Sequence, residues 1–344
     1  MSAVLTVKTA SPTMALQDFG RPGYRAQGLT VGGAADRDAL HEGAALLHQR
    51  ADLAVIEIAV SGGSFVSDAD IRIALTGATM NANIDGAALT WNASHLLRAG
   101  AVLTIGGATG GTYGYLHVGG GFATEPVMGS RATQASAGIG RVLQAGDTLP
   151  LGKDARTDTA MTLPKQDRFG GGTIRVIASM QTEDFAPETR ERFAATTFKR
   201  DARGNRQGVR MDHEGEGFST ESQLSIVSEV IVPGDIQITG DGTPYVLMCE
   251  SQTTGGYPRI GTVLPCDLPR VAQAAPGTPF RFEFVTLDQA VALQARHDAF
   301  IKSLPGLVTP LIRDPATMRD LLSHQLVGGV VSATADPFEE VIQP

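Results

Sequence analysis

The sequence predicts a mainly β protein with a few helices, arranged as two barrel-like or sandwich-like domains. Short apolar runs recur along both halves of the chain, separated by glycine, asparagine and aspartate turns, and this rhythm is typical of barrels and sandwiches. With 344 residues, 42% of them hydrophobic, the chain exceeds the ~250 to 300 residues that a single core usually organises. Two β-rich domains are therefore expected.

The first half contains the clearest series of predicted strands. Each run is apolar and bounded by turn residues, and the four runs are Val55 to Val60, Ile71 to Leu75, Val102 to Ile105 and Tyr113 to Val118. The sequence Ile84-Asp-Gly-Ala87 is typical of a hairpin turn. Apolar residues at helical spacing between Asp36 and Arg50 predict a helix with Asp36 as its N-cap. The glycine cluster Gly106 to Gly114 lies between two predicted strands and therefore favours a hairpin connection over a nucleotide loop.

A polar stretch from Gly152 to Gly172, which contains Pro164 and ends in three glycines, predicts the domain boundary. We therefore expect an N-terminal β-barrel-like domain over residues 1–165, a C-terminal one over 166–301 and a helical tail over 302–344. In the second domain, Ile174 to Ala178 predicts a strand and Pro187 predicts the first position of a helix.

Two further helices are expected near the end of the chain. Thr286-Leu-Asp-Gln289 is a capping-box pattern, in which the threonine hydroxyl accepts from the first-turn amides and the glutamine reaches back. Asp314-Pro315 supplies an N-cap and a first-turn proline for a second helix. We expect this tail to pack on a domain or on a partner subunit.

Composition and charge favour a cytoplasmic protein whose partners are small molecules or proteins. The chain has 28 basic and 36 acidic residues, a net charge of -8, and no basic cluster, so nucleic acid is not an expected partner. The first residues lack the character of a signal peptide, and no window reaches the ~18 apolar residues of a membrane helix. Cys249 and Cys266 lie within or beside apolar strands and predict buried, reduced thiols rather than a disulfide or a metal site.

Several catalytic motifs are missing, which narrows the chemistry. The sequence has no His-x-x-x-His pair, no Gly-x-Ser-x-Gly elbow and no Gly-x-x-x-x-Gly-Lys-Ser/Thr phosphate loop. It also has no Met-Lys-Met-like lysine that could carry biotin. We therefore expect no metal and no cofactor bound by this chain.

The segment Ser251-Gln-Thr-Thr-Gly-Gly-Tyr-Pro-Arg259 is the most informative stretch of the sequence. It places polar side chains, a flexible glycine pair and a rigid Tyr-Pro corner between two predicted strands, Pro244 to Cys249 and Ile260 to Leu264. Glycine lets a ligand approach the backbone, and proline limits motion of the tip. The alternative is an ordinary hairpin turn. A second segment of similar composition, Gln17 to Tyr24, favours a ligand site over the hairpin turn.

These two segments belong to an ordered set of motifs. The set is Gln17 to Asp36 (QDFGRPGYRAQGLTVGGAAD), Gly129 to Thr133, Gly138 to Arg141, Gly146-Asp147, Asn205 to Arg210, Ser228-Glu229, Pro233 to Gln237 and Gln252 to Pro258. In this order, from about residue 4 to about 300, the chain resembles the biotin-dependent carboxyltransferase A/B-domain family, also called allophanate hydrolase subunit 2. That resemblance implies paired cyclophilin-like β-barrel domains.

The resemblance implies three alternative functions. The family includes the C-type subunit of the bacterial ATP-dependent 5-oxoprolinase, which opens 5-oxoproline to glutamate together with an A-type and a B-type subunit (the latter allophanate hydrolase subunit 1-like); ATP would then be handled with those partners. A second alternative is a carboxyltransferase subunit of a urea or amide carboxylase, with biotin supplied by another subunit. A third is a non-enzymatic regulator of the B-type partner.

Arginines beside glycine are the main candidates for anion binding. A guanidinium meets a carboxylate with two parallel hydrogen bonds, and a neighbouring glycine lets the anion come close. Arg21 and Arg259 are expected to be catalytic because each lies in one of the two glycine- and tyrosine-rich segments, and Arg259 is expected to be a loop residue with little core packing. Arg206 and Arg210 follow as substrate-binding candidates. The alternative for each is a structural ion pair or a hydrogen bond to a carbonyl.

Acids, amides and hydroxyls complete the predicted site. Asp18 is a third catalytic candidate, as a base or as a partner that orients Arg21, although a buried aspartate often satisfies backbone amides instead. The remaining candidates bind polar substrate groups such as urea, lactam or amide, and they are Tyr24, Gln252, Thr253, Thr254, Gly255, Gly256 and Tyr257. The family often has aspartate and a basic residue before Gln-Thr-Thr, where this chain has Glu250 and Ser251. We expect the two segments to converge on one anion-accepting cleft.

Overall fold

The computed structural model describes residues 3–220 and 227–312. The helix predicted after Asp314-Pro315, and most of the predicted tail, lie outside the described residues. Within the described ranges, no helix is both long enough and apolar enough to cross a membrane.

The first half of the chain consists of short strands, two long ones and a helix. In chain order these elements are β1 (Val4–Thr9), β2 (Ala15–Gln17), α1 (Arg37–Leu47), β3 (Val55–Ala59), β4 (Ser64–Ser67), β5 (Ile71–Ile84), β6 (Ala87–Ala88), β7 (Ala93–Leu97), β8 (Val102–Val118), β9 (Thr148–Pro150) and β10 (Met161–Thr162).

The second half again consists mainly of short strands, with three helices. These elements are β11 (Gly172–Ile177), α2 (Pro187–Ala195), β12 (Phe198–Arg200), β13 (Gly208–Asp212), β14 (Glu229–Val230), β15 (Asp235–Ile238), β16 (Pro244–Leu247), β17 (Thr254–Gly255), β18 (Arg259–Val263), α3 (Leu268–Gln273), β19 (Pro279–Phe284), α4 (Leu287–Leu307) and β20 (Thr309–Pro310).

The prediction of a mainly β fold is confirmed. The ten strands of the first half and β20 form an 11-stranded sheet whose main path is β20-β10-β7-β5-β8-β4-β1-β9, and the second half closes a barrel in the order β11-β18-β15-β16-β13-β12-β19. Strands β16 and β18 both pair with β15 and are not neighbours. The segment between them, Ser251 to Arg259, is therefore not an ordinary hairpin turn. Part of it, β17, pairs instead with β14 in a separate two-stranded sheet.

The glycine cluster Gly106 to Gly114 lies inside β8, which is one continuous strand of 17 residues. The prediction of a hairpin connection there was wrong. Pairing between β5 and β8 shifts register at three places, and glycine permits such bulges because it has no side chain to misplace. At Gly111, φ is +99°, and an added Cβ would lie 2.8 Å from atoms of Ala78 and Phe169. A side chain at this position would therefore strain the backbone and clash with both residues.

Helix caps follow the sequence predictions. The Asp36 carboxylate accepts hydrogen bonds from the first-turn amides of α1, and Thr286 and Gln289 form the reciprocal capping box of α4. Helix α4 continues to Leu307, so residue 302, the predicted start of the tail, lies within this helix. Strand β20 follows and pairs with β10. The chain thus returns from the barrel to the first sheet.

The two halves share a hydrophobic core. Phenylalanines fill the barrel, and the rings of Phe193 and Phe282 stack with centroids 5.1 Å apart. The same buried cluster contains Ala35, Leu40 and Tyr115 from the first half. Fully burying one large apolar side chain contributes roughly 1.5–3 kcal/mol, so side chains from α1 and β8 contribute directly to the stability of the barrel.

Buried polar groups also join the halves. The Gln273 side chain at the end of α3 donates to the Tyr113 carbonyl (2.8 Å) and the Asp36 carboxylate (2.7 Å), and its oxygen accepts from two β8 amides at 3.0 Å. The Arg168 guanidinium donates to Asp36 (2.7 Å) and to both carboxylate oxygens of Glu42 (2.6 and 2.8 Å). Because buried polar groups require partners, this network fixes the position of the barrel on the sheet.

Candidate functional site

A cleft of about 870 Å³ lies between the two halves. Cavities of roughly 300–1,000 Å³ are typical of small-molecule sites. Both halves supply its larger polar side chains, which are Gln17, Glu57, Thr112, Tyr113, Arg200, Asn205, Arg206, Gln207 and Glu250. Among the described residues that line it there is no histidine, cysteine or lysine. The cleft is the candidate functional site.

Arg206 connects the two walls of the cleft. It lies in the loop between β12 and β13, and its Nε donates to Glu250 Oε1 at 2.7 Å. One terminal nitrogen donates to the carbonyl of Gly33 at 2.6 Å, and the other donates to Glu57. The predicted substrate-binding residue Arg206 thus lies in the cleft, but protein groups occupy its guanidinium.

Glu57 is the acidic counterpart of Arg206 on the first half. It lies on β3, where it is the one charged residue in an otherwise apolar strand, and it is buried. Its Oε2 accepts from the Tyr115 hydroxyl and from the Ala35 amide, both at 2.8 Å. A buried carboxylate with several donors and a cationic partner keeps a fixed position. Glu57 therefore presents a fixed negative charge at the cleft.

Arg200 has a different environment from Arg206. It is only 4% exposed, yet its guanidinium makes one long hydrogen bond, to the Asp201 carbonyl at 3.4 Å. Its Nε has no hydrogen-bond partner among the described residues. Burial lowers the pKa of Arg200, and the nearby Tyr113 and Asp201 oppose this shift without cancelling it.

Gln17 and Tyr113 add neutral polar groups on the first-half wall. The Gln17 amide nitrogen donates to the Thr133 carbonyl at 3.0 Å, whereas its Oε1 has no partner within the described part of the chain. Burial and the nearby Glu57 carboxylate raise the pKa of Tyr113 above its usual value. The Tyr113 hydroxyl therefore stays protonated and can donate to a ligand.

Asp18 and Arg21, two of the predicted catalytic residues, are engaged by first-half groups. Asp18 accepts from the Gly20 amide (2.7 Å), the Ser130 hydroxyl (2.6 Å) and the Arg131 amide (2.7 Å). Arg21 is 1% exposed, and its guanidinium donates to the Gln134 side chain and to the carbonyls of residues 127 and 132. These contacts favour structural roles for both.

Arg259, the third predicted catalytic residue, is at the start of β18 and is 7% exposed. The expectation of a loop arginine with little packing was therefore wrong. Its guanidinium donates to Gln181 Oε1 (3.0 Å), the Val230 carbonyl (3.0 Å), Glu229 Oε2 (2.6 Å) and Asp235 Oδ2 (3.4 Å). Glu229 and Val230 form β14, so the Arg259 side chain joins the start of β18 to the small sheet of β14 and β17.

The predicted substrate-binding residues are dispersed. Arg210 forms ion pairs with Asp201, at 2.8 Å, and with Asp212. The Tyr24 carbonyl accepts hydrogen bonds from the Gln27 and Leu29 amides and so closes a turn. In the glycine and tyrosine segment, the exposed members are Gln252, Thr254 and Tyr257, and the half-buried ones are Thr253, Gly255 and Gly256.

The two glycine- and tyrosine-rich segments do not line one cavity. Arg21 lines a separate cavity of about 400 Å³ formed by first-half residues. Tyr257, 47% exposed on the second half, lines neither that cavity nor the cleft. Residues outside both segments make a contact nearby, where the Gly32 amide donates to the Cys249 carbonyl at 3.2 Å.

The cysteines are free, as predicted, but half-buried rather than buried. Burial raises the pKa of the Cys249 thiol to about 11, so this thiol is protonated at neutral pH. A nucleophilic thiolate is therefore not expected at this position.

Sequence reasoning missed Glu57, Arg200, Gln17 and Tyr113 as cleft residues. One signal was available for Glu57, because a lone carboxylate interrupts the apolar run Val55 to Ala59. For Arg200, the alternation in Phe198-Lys-Arg places its side chain on the same face as a core phenylalanine. Neither signal shows that the two residues face a common cleft.

A barrel joined to a β-sheet, with a charged cleft between them, defines the structural class of the molecule. Residues 27–284 match the family model described as carboxyltransferase domain, subdomain A and B. The chain therefore belongs to this family, and the resemblance inferred from its motifs is confirmed.

Relatives of known name agree with this assignment. The C-type subunit of 5-oxoprolinase from Escherichia coli K12 is 33% identical over 300 residues, covering 86% of this chain and 95% of that protein. The urea amidolyase of Saccharomyces cerevisiae is 27% identical over 319 residues, covering 85% of this chain and 17% of that protein. The solved urea amidolyase of K. lactis has the same fold, with a TM-score of 0.78 and 23% identity over 91% of this chain and 21% of that one.

Proposed function

We propose that the chain is the C-type subunit of a heteromeric, ATP-dependent 5-oxoprolinase, which opens the ring of 5-oxoproline to give glutamate. The observation that carries the proposal is the similarity to the Escherichia coli protein over most of both chains. An A-type subunit and a B-type subunit (allophanate hydrolase subunit 1-like) are the proposed partners. ATP is handled with those partners, in the cytoplasm.

Within that complex, the role of this chain is to bind and orient the substrate. Ring opening adds water across the lactam C–N bond, so that the nitrogen leaves as an amine and the carbonyl becomes a carboxylate. The described cleft residues include no histidine, cysteine or lysine, and the Glu57 and Glu250 carboxylates, which could otherwise act as bases, are both paired with Arg206. A cleft with fixed charges and no such group suits binding, with the reactive groups supplied by the B-type subunit.

Reconstitution tests the proposal directly. The chain is co-purified with its A-type and B-type subunits, and ATP hydrolysis and glutamate formation are measured with 5-oxoproline. We expect both products in the full complex and neither when this chain is omitted. Carboxyl exchange with free biotin, without ATP-dependent cleavage of 5-oxoproline, would show that the proposal is wrong.

That outcome would support the second candidate, a carboxyltransferase subunit for urea or another amide, with biotin carried by a different subunit. The similarity to the yeast urea amidolyase favours it. Inhibition of a B-type partner with neither activity would support a non-enzymatic regulator.

Catalytic roles for Asp18, Arg21 and Arg259 remain predictions, as do the substrate-binding roles of the other residues named from the sequence. Each residue is substituted in the reconstituted complex, and the effect on KM and kcat is compared with the effect of substituting a cleft residue. A change in KM or kcat with an unchanged melting temperature would support a direct role.

A further inference from the structure

The end of the cleft at Arg200 contains a buried cation without a carboxylate partner. We propose that this end is a binding site for the carboxylate of a small ligand, with Arg200 as the group that recognises it. This inference rests on the proposed function only in naming 5-oxoproline as the carboxylate that is bound.

Two other buried arginines in this protein have carboxylate partners for their guanidinium groups. Arg168 has the carboxylates of Asp36 and Glu42, and Arg72 has that of Asp154 at 2.7 and 2.8 Å. Arg200 has instead one hydrogen bond at 3.4 Å and an Nε without a partner among the described residues. A desolvated and unpaired charge is unfavourable, and a bound carboxylate would remove that cost.

The local backbone directs the guanidinium to the cleft. Arg200 is the last residue of β12, on the face shared with buried Phe198, so its side chain reaches the end of the barrel rather than the outer surface. Gly204 provides the space, because an added Cβ there would lie 2.9 Å from Arg200 Nη2. The position is therefore built for an arginine that faces the cavity.

Charge also decides which of the two cleft arginines a carboxylate prefers. The positive charge of Arg206 is shared by Glu57 and Glu250, so Arg206 attracts a further anion less strongly than Arg200, which has no ion-pair partner among the described residues. The cleft also has acceptors for a donor, namely the carboxylates of Glu57 and Glu250. The ligand class is a small carboxylate that also has an N–H donor, and 5-oxoproline has both groups.

Isothermal titration of the purified full chain tests the site. The probes are 5-oxoproline, 2-pyrrolidinone (the same lactam without the carboxylate) and inorganic phosphate. We expect 5-oxoproline to bind best, and R200Q to weaken its binding roughly 10- to 100-fold, the effect of losing a charge-assisted hydrogen-bonded pair. Binding of 2-pyrrolidinone should be unchanged in R200Q.

The matched control is R203Q, which removes a 70% exposed arginine side chain three residues away that pairs with Asp201 and does not line the cleft. It should bind 5-oxoproline like the wild type. R200Q should also keep or raise the melting temperature, because it removes a buried charge that has no ion-pair partner among the described residues. If R200Q unfolds, R200K provides the second measurement. Lysine keeps the positive charge but lacks the planar guanidinium that can donate two parallel hydrogen bonds, so R200K should bind 5-oxoproline more weakly than the wild type.

Several results would overturn the inference. These are equal binding of 5-oxoproline and 2-pyrrolidinone by the wild type, phosphate binding as tightly as 5-oxoproline, and unchanged affinity in a folded Arg200 variant. The proposed function fails separately: an inactive reconstituted complex would reject the 5-oxoprolinase assignment, while Arg200-dependent carboxylate binding would still support the site.

Discussion

Glu57 and Arg206 lie on opposite halves of the chain, and they form an ion pair in the lining of the cleft. The pair is not isolated, because Glu250 shares the guanidinium and Tyr115 shares the Glu57 carboxylate. The ion pair therefore holds the two halves together, and it also sets the local charge around Arg206 in the cleft.

Replacing Arg206 with methionine should strongly destabilise the protein. The substitution leaves Glu57 and Glu250 buried without their cation, and breaking a buried pair in this way costs about 3–5 kcal/mol. Urea unfolding at neutral pH measures the loss. The control is R50M, whose arginine side chain is 81% exposed in its pair with Asp52, and it should leave the unfolding midpoint unchanged. Equal midpoints for the two variants would contradict the structural role of Arg206.

Replacing Arg259 with alanine should also reduce stability, in contrast to the sequence-based expectation of a well-folded variant. The Asp235 carboxylate, 2% exposed, would lose its cation, and the Gln181 side chain would lose one of its donors. A loss of about 2–4 kcal/mol is expected. Thermal unfolding compares it with R141A, which removes an exposed arginine paired with Asp147. A melting temperature equal to that of the wild type would contradict the structural role of Arg259.

Replacing Gly43 of α1 with alanine should destabilise the protein, although alanine is the better helix former by about 1 kcal/mol. An added Cβ would lie 2.2 Å from the ring of His117, which is 1% exposed and hydrogen-bonded to Thr76 at 2.8 Å. Overpacking of this kind costs about 1–3 kcal/mol, so the clash outweighs the propensity. The same change at Gly306 of α4, where no atom lies within 4 Å, should be neutral or stabilising. Chemical denaturation of both variants decides between the two effects.

The contact between His297 on α4 and Asp38 on α1 should make stability depend on pH. Asp38 Oδ1 accepts a hydrogen bond from protonated His297 Nε2 at 3.1 Å, and this bond raises the pKa of His297. A raised folded-state pKa means that the contribution is fully present below the unfolded pKa of about 6.5 and is lost as pH rises through the folded value. The pair is partly exposed, so the effect is small, about 0.5 kcal/mol.

The measurement for this contact is the unfolding free energy of wild type and H297Q from about pH 5 to about pH 9, a range that brackets the ordinary histidine pKa. Subtracting the two curves removes the opposite effect of His117, whose pKa burial lowers to about 3. The difference should be largest at the acid end. A difference that grows with pH would contradict the assigned contact.

Local patterns predicted much of the fold. The caps at Asp36 and Thr286 and the strand at Pro244 depend on neighbouring residues, and the structure has them where they were predicted. The cluster Gly106 to Gly114 failed because glycine permits both a turn and a bulged strand, and only pairing with β5 selects the strand.

The candidate site was much less predictable. Arg21 and Arg259 have the neighbouring glycines expected of anion-binding residues. Their guanidinium groups, however, donate to acceptors from distant parts of the chain. Arg200 and Glu57 have no distinctive neighbours in sequence, and they acquire a role because the sheet and the barrel place them around one cavity. Partner choice for a charged side chain is set by contacts between residues far apart in the chain.

The core shared between sheet and barrel has a consequence for cooperativity. Cutting the chain near residue 165 would separate α1 and β8 from the phenylalanines they cover. A fragment starting there would expose aromatic rings to solvent and would be prone to aggregate. The polypeptide should therefore unfold in a single transition, and the cleft should exist only when the whole chain is folded.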